Sequence, residues 1–148
     1  MLSKVDIEHE MKKYTTGYGG IGVIPSPDDI DSCGIDLRLG SVNEYSSWYL
    51  DQGDFCLGRT MERIILPNYI CGLLDGKSSL ARKGLCVHAT AHTIQPGWDG
   101  TIVLEFFNAG RDRIYLEAGM KICAIKFFYL NNPTTKPYNG IYKNGNPY

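Results

Sequence analysis

From Ile21 to Leu130 the chain is a succession of short apolar segments, each closed off by Gly, Pro, Asn or Asp. The segments are Ile21–Ile24, Ile35–Leu39, Met61–Leu66, Tyr69–Leu74, Leu85–Ala91, Thr101–Asn108, Arg113–Leu116 and Ile122–Leu130. None is long enough for an amphipathic helix, and turn residues follow each one. This cadence predicts an antiparallel β architecture: a sandwich, jelly roll or barrel. A single helix is expected before it. Ser3 is a suitable N-cap, Asp6 completes a capping box, Leu2 and Ile7 fit a hydrophobic staple, and Ile7, Met11 and Tyr14 recur at helical spacing. The glycines between Thr15 and Gly20 end it. At 148 residues the chain has room for one domain. The expected division is a β domain over 1–130 and a tail over 131–148, rich in Pro, Asn, Gly and Tyr and without periodicity, which is either disordered or an arm that orders on something else.

Composition mainly excludes. The 15 Lys and Arg against 16 Asp and Glu leave a net charge of −1, so the chain as a whole has no electrostatic footprint for duplex DNA or an anionic membrane. No apolar run approaches the roughly 18 residues of a membrane-spanning helix, and the N-terminus lacks a signal-peptide core. The 5 cysteines include no Cys-x-x-Cys pair and read as free thiols of a cytoplasmic protein. With only His9, His88 and His92 as imidazoles, no structural zinc site is expected.

Three stretches carry chemistry. Asp75-Gly76-Lys77-Ser78-Ser79-Leu80-Ala81-Arg82-Lys83-Gly84 interrupts the strands with one or two helical turns, capped by Ser78 or Ser79 and stopped by Gly84. A helix start beside Lys77 suits a phosphate, and a helical turn puts Ser78 and Arg82 on one face. The plain alternative is a capped surface turn. In Thr101-Ile102-Val103-Leu104-Glu105-Phe106-Phe107 a single carboxylate, Glu105, sits in a strand that looks apolar on both faces. Burial of a carboxylate is costly unless it is paired or its proton affinity rises, which makes Glu105 a candidate acid or base, or else a salt-bridged residue near a barrel rim. In His88-Ala89-Thr90-Ala91-His92-Thr93-Ile94-Gln95-Pro96-Gly97-Trp98, small residues leave space for a planar ring and Pro96-Gly97 gives a tight turn onto Trp98. The two histidines, on one face of a strand, read as structural.

In order and spacing these stretches resemble the dCTP deaminase branch of the dUTPase-like superfamily. Leu2 to Ile7 looks like the family's opening helix and Gly34-Ile35-Asp36-Leu37-Arg38-Leu39-Gly40 like its first signature strand. Asp75 to Leu85 resembles the phosphate and base motif, and Thr90 to Gly100 the sugar-binding hairpin. Val103-Leu104-Glu105 resembles the catalytic strand, and Gly119 to Phe127 the closing strand. The resemblance implies a mainly β, distorted jelly-roll or barrel subunit of dUTPase type, with a short N-terminal helix and one short internal helix, assembled as a homotrimer with sites shared between chains. It implies conversion of dCTP to dUTP and ammonia without zinc, with Mg2+ bound through the nucleotide triphosphate and dTTP as a candidate inhibitor. In it Glu105 is the general base, Ser78 and Arg82 hold the water, and Lys77 and Ser79 face the phosphates. Ala91, Gln95 and Val103 line the nucleoside pocket, while Tyr138 and Tyr142 belong to the closing arm. The residues agree on one point, because zinc deaminases need a His/Cys-x-Glu element and a Pro-Cys-x-x-Cys pair that this chain lacks.

The chain departs from the family pattern at three places. Lys77 replaces an arginine and loses its bidentate fork. Gln95 replaces the aspartate that activates water in dUTPases, which argues against dUTP hydrolysis. The tail is short, with Ile141-Tyr142 where the family has Lys-Tyr, leaving Lys136 or Lys143 to meet phosphate. Two alternatives stand beside the deaminase: a dUTPase or bifunctional enzyme releasing dUMP and pyrophosphate, and a catalytically silent nucleotide-binding protein.

Overall fold

The computed structural model describes residues 1–143; the last part of the expected arm, 144–148, lies outside the described residues. In chain order the elements are α1 (Lys4–Thr15), β1 (Gly22–Ile24), β2 (Ile35–Val42), β3 (Ser47–Leu50), β4 (Phe55–Ile65), β5 (Ile70–Gly76), α2 (Ser78–Ala81), β6 (Leu85–Cys86), β7 (Thr93–Ile94), β8 (Asp99–Asn108), β9 (Ile114–Glu117) and β10 (Lys121–Tyr129). Every strand pairing is antiparallel. One curled sheet runs β6-β8-β4-β2-β10-β5-β7 with β1 added to β4, and β3 and β9 form a separate ribbon. The mainly β fold with two short helices is the one the strand cadence predicts.

The pleat supplies the core. Ile35, Leu37 and Leu39 of β2 point inward with Ile102, Leu104 and Phe106 of β8 and Ile125 and Phe127 of β10, all essentially inaccessible. Each such side chain contributes about 1.5–3 kcal/mol through apolar burial. At α1 the capping box forms as expected: the Asp6 N–H donates to Ser3 Oγ at 3.4 Å and the Ser3 N–H to Asp6 Oδ2 at 2.9 Å. Leu2 and Ile7 are both buried beneath it.

The strands differ from the expected ones where side chains replace ladder bonds. β4 begins at Phe55, not Met61. Its pairing with β8 is irregular between Arg59 and Arg63, and there the Thr60 hydroxyl donates to Glu62 O and accepts the Ile102 N–H. The expected strand from Leu85 to Ala91 is ordered as strand only over Leu85–Cys86, since the Ala89 N–H leaves the ladder for a side chain. The short strand β3 was not expected, while β7 falls within the segment that resembles a hairpin, Thr90 to Gly100. Asn108, fully buried, ends β8 by donating from Nδ2 to Leu50 O and Asp112 O while Oδ1 accepts the Gly110 N–H.

Gly84 joins α2 to β6 with φ +94°, and a Cβ there would lie 2.1 Å from the Gly110 nitrogen. Both the left-handed backbone and the close chain approach therefore require glycine. Gly84→Ala should lower unfolding free energy by about 2–4 kcal/mol, read by urea denaturation.

Glu10 on α1 is 1% exposed. It accepts from Lys13 Nζ (2.9 Å), Tyr129 Oη (2.9 Å) and Tyr69 Oη (2.8 Å). Burial pushes its proton affinity up, but these three donors together outweigh burial and hold the carboxyl below the usual glutamate range. A depressed folded-state value contributes stability above the unfolded value and loses it as pH falls through the folded one. Glu10→Gln should therefore cost about 3 kcal/mol at neutral pH. The gap to the wild type in urea melts should narrow as pH drops below about 4.3, the ordinary glutamate value. A pH-independent gap would remove the carboxylate's charge from the explanation.

Candidate active site

β8 sets the site. Its inner row, Ile102, Leu104, Phe106 and Asn108, is buried; its outer row, Val103 and Glu105, is half-buried and ends at exposed Phe107. Glu105 thus does not sit in a strand apolar and buried on both sides, as the composition of the segment suggested. Apolar Val103 and Phe107 belong to an open face, and one-sided burial explains why a carboxylate is tolerated between them. Opposite Glu105 stands Leu57 of β4, and opposite Val103 stands Arg59.

The Glu105 backbone N–H donates to Val87 O at 3.1 Å, and the Ala89 N–H returns a bond to Glu105 Oε2 at 2.7 Å. This pair fixes the carboxyl against the loop that follows β6. Oε1 accepts no hydrogen bond from the described residues, and Glu105 lines a cavity of about 410 Å3. Ala91, Gln95, Val103, Tyr138 and Tyr142 line that cavity with Glu105, and Trp98 forms its apolar floor. Trp98 is almost fully buried and donates from Nε1 to Gly100 O at 3.0 Å, the anchor expected after the Pro96-Gly97 turn. Tyr138 packs against it with its ring tilted by 38°, ring centroids 5.4 Å apart.

The stretch expected to meet phosphate lies elsewhere. α2 has only four residues; its N-cap is Lys77, with no side-chain cap bond, instead of Ser78 or Ser79. Its turn is closed by backbone alone, with the Ala81 N–H on Lys77 O (2.8 Å) and the Arg82 N–H on Ser78 O (3.1 Å). Ser78, Ser79 and Arg82 are exposed, and none of them lines the Glu105 cavity. Arg82 faces a separate opening of about 790 Å3 together with Lys83, Arg111 and Arg113. The Lys77 ammonium is held by Asp36 Oδ1 at 2.5 Å, while Lys121 reaches Asp36 Oδ2 at 3.4 Å. One chain therefore assembles six of the ten expected site residues into one cavity and presents the other four away from it.

Sequence reasoning missed Leu57, because the start of β4 read as loop, and gave Asp36 no role. The placement of the histidines also differs from expectation. The segment between Val87 and His92 is not strand, so the two rings meet directly at 5.3 Å between centroids, and His88 Nδ1 is buried without a partner among the described residues. Among the described residues no group of three His, Cys, Asp or Glu side chains is arranged to hold a metal ion, and no helix is long and apolar enough to cross a membrane. All 5 cysteines are free.

Known proteins share both the sequence and the fold. A dCTP deaminase-like family profile matches residues 41–130. The dCTP deaminase of Rhodospirillum rubrum is 53% identical over 114 residues, 76% of this chain and 58% of that protein. This chain spans about half the length of the curated relatives it matches. Among solved structures, a dCTP deaminase from Agrobacterium tumefaciens superposes with a TM-score of 0.66 over 85% of this chain and 47% of its own, at 19% identity. The EIAV dUTPase superposes with a TM-score of 0.62 over 82% of this chain and 96% of its own, at 21% identity. These two share the fold. The profile match and the identity to the Rhodospirillum protein go further: this chain belongs to the dCTP deaminase-like family.

Proposed function

We propose that this chain deaminates dCTP to dUTP and ammonia without zinc, with Glu105 as the proton-transfer group. The observation that carries the reading is a half-buried carboxylate, fixed at one oxygen by the Ala89 N–H, in the lining of a cavity of about 410 Å3. That volume suits a nucleoside in contact with an apolar wall and a few polar groups. A carboxylate held at one oxygen keeps its direction and still has a lone pair for a water proton.

The chemistry balances simply. Glu105 takes a proton from water as the water oxygen bonds to C4 of cytosine. The protons then pass to N3 and to the amino nitrogen, the C4–N bond breaks, and ammonia leaves with uracil formed. Ala91 leaves room beside the ring, Val103 packs on it, and Gln95 reaches the sugar. Tyr138 and Tyr142, on the arm of 131–148 that follows the β domain of 1–130, cover the nucleotide.

Ser78 and Arg82 fix and polarise the water, and Lys77 and Ser79 meet the phosphates. Their absence from the Glu105 cavity of their own chain supports a homotrimer in which a neighbouring copy brings its α2 end to that cavity. Lys77 must then exchange Asp36 for phosphate, with Lys121 left to neutralise Asp36. Mg2+ enters on the nucleotide, whose triphosphate oxygens supply the hard ligands that no cluster of described side chains provides. dTTP, which shares the sugar and phosphates, is a candidate inhibitor of the same pocket. The five thiols fit a reducing, cytoplasmic setting.

Glu105→Gln should cut ammonia release from dCTP by about 10³-fold or more while dCTP binding stays within a few-fold, measured by coupled ammonia assay and calorimetry. Near-normal turnover in this variant would remove Glu105 from the mechanism. With dCTP and dUTP supplied side by side, the wild type should release ammonia from dCTP and no pyrophosphate from dUTP. The reason is that the Gln95 carboxamide cannot take a proton from water at the phosphate. Pyrophosphate from dUTP would favour the bifunctional reading, and binding without either product a silent nucleotide-binding protein.

A further inference from the structure

The turn at Pro96-Gly97-Trp98 is fixed from below. The Gly97 N–H donates to Leu66 O (3.1 Å), the Leu66 N–H to Trp98 O (2.9 Å), and the Trp98 N–H closes the turn on Gln95 O (3.1 Å). Its upper side is occupied by the chain's own C-terminal arm. The arm is first tied along the end of β5's approach, where the Leu130 N–H donates to Tyr69 O and the Thr134 N–H to Asn68 O, each at 2.9 Å. It then crosses the turn. The Tyr138 N–H donates to Pro96 O at 2.8 Å, and the Tyr138 ring lies on Trp98.

Gly97 has φ +85°, and a Cβ on it would stand 2.6 Å from Pro137 Cβ and 3.0 Å from the Tyr138 nitrogen. The missing side chain is therefore the seat into which the arm fits. Tyr138 lines the Glu105 cavity on one side of the arm and a second cavity of about 760 Å3 on the other, with Thr93 and Gln95 common to both.

We propose that the Pro96-Gly97-Trp98 turn is a preformed docking cradle for the C-terminal arm, and that Gly97 is a positioning residue which sets Tyr138 at the mouth of the Glu105 cavity before any nucleotide binds. Preorganisation of this kind removes the cost of ordering the arm from the binding step. Its consequence for nucleotide affinity rests on the deaminase reading; the docking itself does not.

A second glycine separates docking from backbone strain. Gly119 has φ +89° with nothing within 4 Å of the position its Cβ would take, so alanine there meets the same left-handed penalty and touches no arm. In the full chain without nucleotide, Gly97→Ala should speed hydrogen exchange of the Tyr138 amide at least tenfold, and Gly119→Ala should leave it within twofold. With dCTP, Gly97→Ala should raise KM about tenfold with kcat within threefold, and Gly119→Ala should change neither. Tyr138→Ala, made on an untouched turn, should raise KM by a similar factor and serves if Gly97→Ala fails to fold.

Unchanged Tyr138 exchange in Gly97→Ala, or an equal rise in Gly119→Ala, would overturn the cradle. Faster exchange with an unaltered KM would overturn the positioning role. A wild type that leaves dCTP intact would instead fail the deaminase reading, while the exchange experiment would still decide the docking.

Discussion

The one-sided burial of β8 is the constraint from which the site follows. Ile102, Leu104 and Phe106 fill the core, so the strand's register cannot slip by one residue without turning those side chains into solvent. That register alone puts Val103 and Glu105 on the open face. The pairing with β4 then gives the carboxylate an apolar neighbour in Leu57, and the loop after β6 gives it the Ala89 N–H. The position of this carboxylate is thus a by-product of core packing, and the loop after β6 adds its orientation.

Glu10 and Glu62 are each 1% exposed and have both carboxyl oxygens engaged: Glu10 by Lys13 and two tyrosines, Glu62 by the Arg38 N–H and Nε at 2.8 and 2.7 Å. Those two carboxylates hold structure together. Glu105 is less buried and less bonded, with one oxygen hydrogen-bonded to Ala89 and its side chain in the cavity lining. A carboxylate engaged at both oxygens and sealed from solvent has less accepting capacity to offer than one engaged at a single oxygen on an open face. The same logic applies to the lysines, since Lys77 is committed to Asp36 in the chain as it stands and becomes available to phosphate only by exchange.

Much of this was legible in the chain itself because the relevant signals are local. The capping box at Ser3 and Asp6, the turn at Pro96-Gly97 and the alternation along β2 depend on residues a few positions apart, and all formed as expected. Six of the site residues share a cavity for the same reason: they lie on β8, on the hairpin before it, and on the arm that docks there. What was not legible depends on partners distant in sequence. β4 is irregular between Arg59 and Arg63, where Thr60 bonds Ile102, α2 needs no serine cap because its backbone closes the turn, and Lys77 finds Asp36 across 41 positions. Glu105 read as buried on both faces because Val103 and Phe107 are apolar, and composition does not distinguish a core face from a face left open at a pocket.

The central claim is that water adds to the cytosine ring and not to a phosphate. Turnover of dCTP in 18O-labelled water, followed by mass spectrometry of the separated base and phosphate fragments, addresses it directly. The account predicts one labelled oxygen on the uracil ring of dUTP, at C4, with unlabelled phosphates. Label in a phosphate with none on the ring would contradict it.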